Sequence, residues 1–319
     1  MKAVFYEKYG SPDVLQIKEV DKPVPGKDEV LVEVRAASIN YIDWQLLTGD
    51  SILLRLLNGL LKPKHSILGD DVAGRIEAVG EQVNKFRPGD EVFGISNFGA
   101  FAEYCCVAEK YLGIKPPNVT FEQAASVPEA GITALLGLRD HGKIQSGSKV
   151  LINGASGGVG TFAVQIAKYY GAEVTGVCSS GKMKLVSSIG ADNVIDYTRE
   201  DFTKSGFQYD LIFALAGYHS IFDYQRALSP QGVYVCAGGS MVQYFQAAIL
   251  GPLLSLNSRK NLRSMFGEPK PEDFNFLAEI LEIGKITPVI DKYYPLSDVP
   301  EALQYYGEGN AGGKVVITL

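Results

Sequence analysis

Apolar and polar positions alternate in short runs through the first hundred or so residues. LVEVRAASI (31–39), VAGRIEAVG (72–80), DEVFGI (90–95) and FAEYCCVA (101–108) are the clearest of them. A period of two in β-branched and aromatic residues predicts strands, and Pro25-Gly26 and Pro88-Gly89-Asp90 supply turns between them. One segment departs from this: SILLRLLNGLL (51–61) is leucine-dense with nearly helical spacing and reads as a short inserted helix. From about Phe121 the period changes. FEQAASVPEAGITALLGLRD (121–140) reads as one helix, and then strand-like and helix-like runs alternate. The strand-like runs are KVLING (149–154), EVTGVCS (173–179), NVIDY (193–197), YDLIFALAG (209–217) and GVYVCAGG (232–239). Nearly all-apolar strands alternating with helices predict a doubly wound parallel sheet covered on both faces. The tail returns to strand signals at PVIDKYYPL (288–296) and GGKVVITL (312–319), and the last of these is suited to pair back onto the first domain.

Composition narrows the function classes. Of 319 residues 46% are hydrophobic and 21% charged, enough for packed cores, and the net charge of −6 argues against a nucleic-acid binder. Residues 227–258 carry no charge. However, Pro230, Gly232, Gly238, Gly239, Gln243, Gln246, Gly251 and Pro252 cut this stretch into pieces shorter than the ~20 apolar residues of a membrane span. The N-terminal MKAVFYEKYG lacks the apolar core of a signal peptide, so cytoplasm is the expected compartment. Cys105, Cys106, Cys178 and Cys236 form neither a disulfide framework nor a CxxC metal spacing, and each sits in an apolar context.

The most informative segment is NGASGGVG (153–160), directly after the apolar Val150-Leu151-Ile152 and before a helix. Gly157 lets backbone approach a pyrophosphate, Gly160 lets the helix pack on the strand, and the helix N-terminus offers free N–H groups and a positive dipole. A glycine motif alone is weak. Here strand, loop, helix and second strand follow in the order of one βαβ unit, which predicts dinucleotide binding. The end of the second strand reads Cys178-Ser179-Ser180-Gly181-Lys182-Met183-Lys184, with two hydroxyls, two ammonium groups and no carboxylate. That set accepts a ribose 2′-phosphate, so NADPH is expected over NADH.

Taken with AASINYIDW (36–44), GDDVAGRIEAVGEQVNKFRPGDEVFG (69–94), AASVPEAGITAL (124–135) and GADNVIDYT (190–198), the chain resembles, over essentially its whole length, the zinc-independent quinone oxidoreductase-like branch of the medium-chain dehydrogenase/reductase superfamily. The resemblance implies an α/β fold: a GroES-like β-barrel domain from 1–122 and 288–319, and a Rossmann NADPH-binding domain from 123–287, with the cofactor in the cleft between them. It implies a homodimer. Carried over by position, Thr133, Ser156, Gly157, Gly158 and Val159 face the cofactor. Ser179, Ser180, Tyr197 and one of Lys182 or Lys184 surround the 2′-phosphate, Ala216 and Gly238 pass the ribose and nicotinamide, and Asn40 and Lys314 lie on the nicotinamide side.

Zinc-dependent relatives carry ligands at the positions held here by Asn40, Asp70 and Glu129, and they carry a four-cysteine lobe that this chain lacks. Asn, Asp and Glu suit tetrahedral zinc poorly, and His65, His141 and His219 lie elsewhere, so no metal is expected. Glu129 is unusual where an apolar residue is the norm. The resulting expectation is metal-free hydride transfer from NADPH to a quinone or an enone. Asn40 and Tyr41 are the catalytic candidates, although Tyr41 also reads as a packed aromatic and Asp43 as a turn-bonding carboxylate. Asp70-Asp71 reads as structural. Alternatives are an NADPH-binding sensor or scaffold with little turnover, and a zinc-type alcohol dehydrogenase. The apolar 51–61 and 241–256 segments either cover an oily entry, in which case Leu53 and Leu54 contact the acceptor, or lie in the core or a dimer contact.

Overall fold

A computed structural model describes all 319 residues except 52–54, 57, 218 and 257. The expected helix over 51–61 therefore falls partly outside the described residues, Leu53 and Leu54 included. The chain divides into two units, Met1–Ala130 with Pro269–Leu319, and Gly131–Glu268. The helix Pro271–Glu282, which the sequence reading places in the Rossmann segment, thus groups with the first unit.

The first unit is built on a mixed sheet of seven strands drawn from residues 29–114 and 290–318, while the N-terminal strand Lys2–Phe5 pairs with Gln16–Glu19 in a small sheet of its own. Its central strand, Glu29–Ser38, pairs antiparallel with Asp71–Val79 on one side. On the other side it pairs with Tyr104–Ala108 along residues 29–33 and with the terminal strand Lys314–Thr318 along 36–38. The C-terminus therefore returns to the first domain, as the GGKVVITL run suggests. Register shifts at Leu31/Val32 and Val34/Ala36 mark irregularities that bend the long strand. Inward residues Val30, Val32, Ile76, Val92 and Phe101 are buried in one apolar core.

The second unit carries a six-stranded, all-parallel sheet. In space its strands run Asn193–Asp196, Glu173–Cys178, Lys149–Asn153, Tyr209–Ala214, Leu228–Cys236 and Asn261–Ser264. In order of appearance that is 3-2-1-4-5-6, the doubly wound order whose switch point lies between the first and fourth strands. Val150, Leu151, Ile152, Ile212 and Phe213 are fully buried, which explains why these strands read as apolar runs rather than alternating ones.

Segment 121–140 is not one helix. It forms Phe121–Ala125, then Pro128–Leu135, then a π-helical stretch Leu136–His141. Pro128 has no N–H to continue a ladder and disfavours helical backbone in the residue before it, so the first helix ends at Ser126.

Candidate active site

The loop 154–157 leaves Lys149–Asn153 and enters the helix Gly158–Tyr169. Gly160 is required by the protein itself, since a Cβ there would stand 2.1 Å from the Gly154 carbonyl oxygen. Gly157 differs: a Cβ would meet nothing nearer than 3.6 Å, so its bare backbone faces open space. Internal packing accounts for Gly160, while Gly157 leaves backbone reachable from outside. The first-turn N–H groups at Gly158–Gly160 have no intrahelical acceptor and point out of the helix end, suiting a phosphate. Beside this loop the N–H groups of Leu215 and Ala216 both donate to the Asn153 carbonyl, at 3.0 and 3.1 Å, and Ala237 N–H donates to Ala214 at 2.9 Å. Ser156, Gly157, Gly158, Val159, Ala216 and Gly238 thus lie at or beyond the carboxyl ends of the first, fourth and fifth strands, the end of an open α/β sheet where ligands bind. Thr133 is half-buried on the helix Pro128–Leu135.

Past the second strand, Ser180–Lys182 makes a short turn that leads into the helix Met183–Ser188. Tyr197 N–H donates to the Cys178 carbonyl at 3.1 Å, bringing the third-strand end against this turn, and the Tyr197 ring is exposed. A carboxylate does reach the turn, from the third strand: Asp196 accepts hydrogen bonds from the Ser180 and Thr198 hydroxyls and lies 3.5 Å from the Arg199 guanidinium. The Ser180 hydroxyl, foremost, holds its carboxyl below the usual range. The Ser180 hydroxyl is committed as a donor to Asp196, while Lys184 and Tyr197 are exposed and Ser179 and Lys182 half-buried.

In the first unit three chain segments meet at strand ends. Ser38 and Asp71 are register partners, and the Ser38 hydroxyl donates to Asp71 Oδ2 at 2.7 Å. Lys314 opens the terminal strand, and its Nζ donates to the same Oδ2 at 3.0 Å and to Asn40 Oδ1. Asp71 Oδ1 accepts the Glu129 N–H at 2.8 Å. Asp71 and Lys314 are 0% and 2% exposed, so their charges are paired away from water. Asp43, at the start of the helix Tyr41–Thr48, accepts the N–H groups of Asn40 (2.8 Å) and Gly69 (2.9 Å), the backbone role its turn position suggests. Tyr41 is 56% exposed.

The network holds more acid than its one lysine neutralises. Burial, then repulsion from Asp70, pushes Asp43 up to about 7. Burial and Asp71 push Asp70 up to about 7, and burial followed by Asp70 and Asp71 pushes Glu129 up to about 8. Sequence reasoning missed this coupling. Its signals were a glutamate in an otherwise apolar helix and a lone charge in GGKVVITL. The family resemblance set Asn40 and Lys314 on one side, but the hydrogen bonds that join Lys314 to Asn40 and to Asp71, 274 and 243 positions away, were not visible in the sequence.

The donors at the zinc-relative positions do not fit a zinc ion. Asn40 Oδ1 is already held by an ammonium group, and among the described residues no group of three or more His, Cys, Asp or Glu is arranged to hold a metal.

A 3-2-1-4-5-6 parallel sheet with a glycine loop at its switch point, joined in sequence to a β unit closed by the C-terminus, defines a dinucleotide-dependent dehydrogenase/reductase. Residues 26–118 match the alcohol dehydrogenase GroES-like domain, and 189–317 match the zinc-binding dehydrogenase family. The quinone-oxidoreductase QR1, chloroplastic, of Triphysaria versicolor is 34% identical, covering 99% of this chain and 98% of that protein. The 2-methylene-furan-3-one reductase of Solanum lycopersicum is 36% identical over 99% of this chain and 79% of its own. Among solved structures, the Escherichia coli quinone oxidoreductase complexed with NADPH superposes with a TM-score of 0.86 at 26% identity, covering 100% of both chains. This chain belongs to the quinone oxidoreductase-like medium-chain dehydrogenases/reductases and is an oxidoreductase.

Proposed function

We propose that this protein is an NADPH-dependent reductase that passes hydride to a quinone or an α,β-unsaturated carbonyl without zinc. One observation carries the reading: the Lys314 ammonium takes the Asn40 oxygen at a position where zinc-dependent relatives carry a metal ligand, in a chain with an open dinucleotide loop. Nothing in this donor set polarises an alcohol for oxidation, so reduction of an electrophile is the direction that fits. The names of the two relatives above, a quinone oxidoreductase and an enone-type reductase, support the acceptor class.

NADPH, when bound, supplies the hydride. The backbone of Ser156–Gly160 would take the pyrophosphate, the Ala216 and Gly238 backbone would pass the ribose and nicotinamide, and Thr133 would border the same site. Ser179, Tyr197 and one of Lys182 or Lys184 would take the 2′-phosphate. Asp196 argues less for NADH than its charge suggests, because two hydroxyls and Arg199 already occupy it. The protein's own contribution is orientation and exclusion of water.

We also infer a homodimer, seated on the exposed apolar stripe of 241–256. Cytoplasm is the proposed compartment: the four cysteines are free, as in a reducing environment, although the chloroplastic name of the relative QR1 shows that compartments vary among relatives.

The test is NADPH oxidation followed at 340 nm in the presence of a chelator, with a quinone and an enone in parallel and NADH as control. Expected is turnover on at least one acceptor with NADPH preferred. Tight NADPH binding without turnover on either acceptor, or activity that appears only after zinc is added, contradicts the reading.

A further inference from the structure

Glu129 opens the helix Pro128–Leu135 with its N–H fixed on Asp71, yet no hydrogen bond reaches its half-buried carboxyl from any described residue. Asn40, in the same Lys314-centred network, is 7% exposed, and its amide nitrogen Nδ2 is buried without a partner while its oxygen is taken by Lys314. One network therefore holds an unused hydrogen-bond donor and an unused carboxyl. Buried polar groups are ordinarily satisfied, so a pair of this kind calls for a polar atom supplied from outside the chain.

We propose that the Asn40 amide and the Glu129 carboxyl receive the carbonyl end of an α,β-unsaturated acceptor, Asn40 donating a hydrogen bond to its oxygen and Glu129 giving the proton that completes the reduction. The assignment rests on the reductase reading above. The reduced nicotinamide would supply the hydride, and with it two electrons, to the acceptor's β-carbon, whose C=C pair shifts to leave an enolate. The Glu129 O–H bond then breaks, its proton goes to the enolate α-carbon, and its electron pair stays on the carboxylate. Water returns the proton.

The surroundings keep this acid loaded. Asp43, Asp70, Asp71 and the Lys314 ammonium are the charged groups around Glu129. Burial and the two nearer aspartates push the carboxyl up to about 8, against the pull of Lys314, so it is mainly protonated at neutral pH. Losing the proton sets a new negative charge beside Asp70 and Asp71, which drives reprotonation. Asp70 is itself pushed up to about 7, by burial and by Asp71.

Glu129→Gln keeps shape and removes the acid, and Glu129→Asp keeps the acid on a shorter stem. Expected for E129Q is a fall in kcat on a simple enone on the order of 10²-fold, the usual worth of a placed general acid. The fall on a benzoquinone is smaller, because a hydroquinone anion is the weaker base, is stable without a proton, and protonates on oxygen, which needs no placed acid. Wild-type enone turnover declines as pH rises through about 8, that limb is missing in E129Q, and E129D recovers part of the rate. Independently of turnover, the infrared carbonyl band of protonated carboxyl groups in the free protein, recorded below the Glu129 titration, loses intensity in E129Q. Equal losses on both acceptors, an unchanged enone rate or an unchanged band overturns the assignment. A wild-type protein that reduces neither acceptor overturns the reductase reading itself, and this assignment with it.

Discussion

Lys314 sets the character of the first unit's polar centre. Asp71 is fully buried and accepts from the Ser38 hydroxyl, the Lys314 ammonium and the Glu129 N–H, so all three segments converge on one carboxylate. Removing one partner of such a pair leaves a charge in a medium that cannot solvate it, which typically costs about 3–5 kcal/mol, whereas neutralising both is far milder. Lys314→Met is therefore expected to lower stability by about that amount, read from the urea midpoint, and the K314M/D71N double variant to recover a good part of it. A K314M protein as stable as wild type would show that the bridge contributes nothing. Residue identities alone disclosed only part of this site. Asn40, Asp43 and Lys314 stand out in their motifs. The load on Glu129 and Asp70 does not, because a carboxyl's proton affinity depends on burial and on neighbours brought up by the fold, as Asp70 and Asp71 are to Glu129.

Among the elements, the regular ones were legible and the contextual ones were not. Each apolar run from 149 to 239 is a strand of the parallel sheet, since burial on both faces writes itself into composition. The sixth strand, Asn261–Ser264, was not legible: four residues, with only Leu262 buried, take their conformation from pairing with Leu228–Cys236. Its outer edge has no strand partner among the described residues. Ahead of it, in sequence, run the helical turns Met241–Phe245, Gln246–Leu250 and Gly251–Leu256. Apolar residues spaced by four drift round an α-helix by about 40° per step. The π-helical turn Gln246–Leu250 holds more residues per turn and takes up that drift, so that Met241, Phe245, Ile249 and Leu253, each at least 43% exposed, stay in one stripe. An apolar stripe beside an open sheet edge is the kind of surface that a second copy of the chain covers. Phe245→Ser combined with Ile249→Ser should convert a sedimenting dimer to monomer with the fold intact. A wild-type monomer at micromolar concentration, or a dimer that survives both changes, would remove the stripe from the interface.

At the scale of the whole molecule, two folding patterns are spliced into one chain, and the period change near Phe121 marks the splice. The doubly wound order follows from the strand–helix alternation and right-handed crossovers. The return of the C-terminus to the first unit was suggested by an apolar terminal run and is realised by three register pairs onto Ala36–Ser38. No local period shows that this return also carries Lys314 to Asn40 and Asp71. Hydride is expected to pass from the nicotinamide to an electron-poor carbon. The measurement that tests it most directly is turnover of an enone with NADPH deuterated at the transferable position, the product being read by NMR. Expected is one deuterium at the β-carbon and a solvent-derived hydrogen at the α-carbon. Product without deuterium, or deuterium at the carbonyl carbon as in an alcohol dehydrogenase, would contradict it.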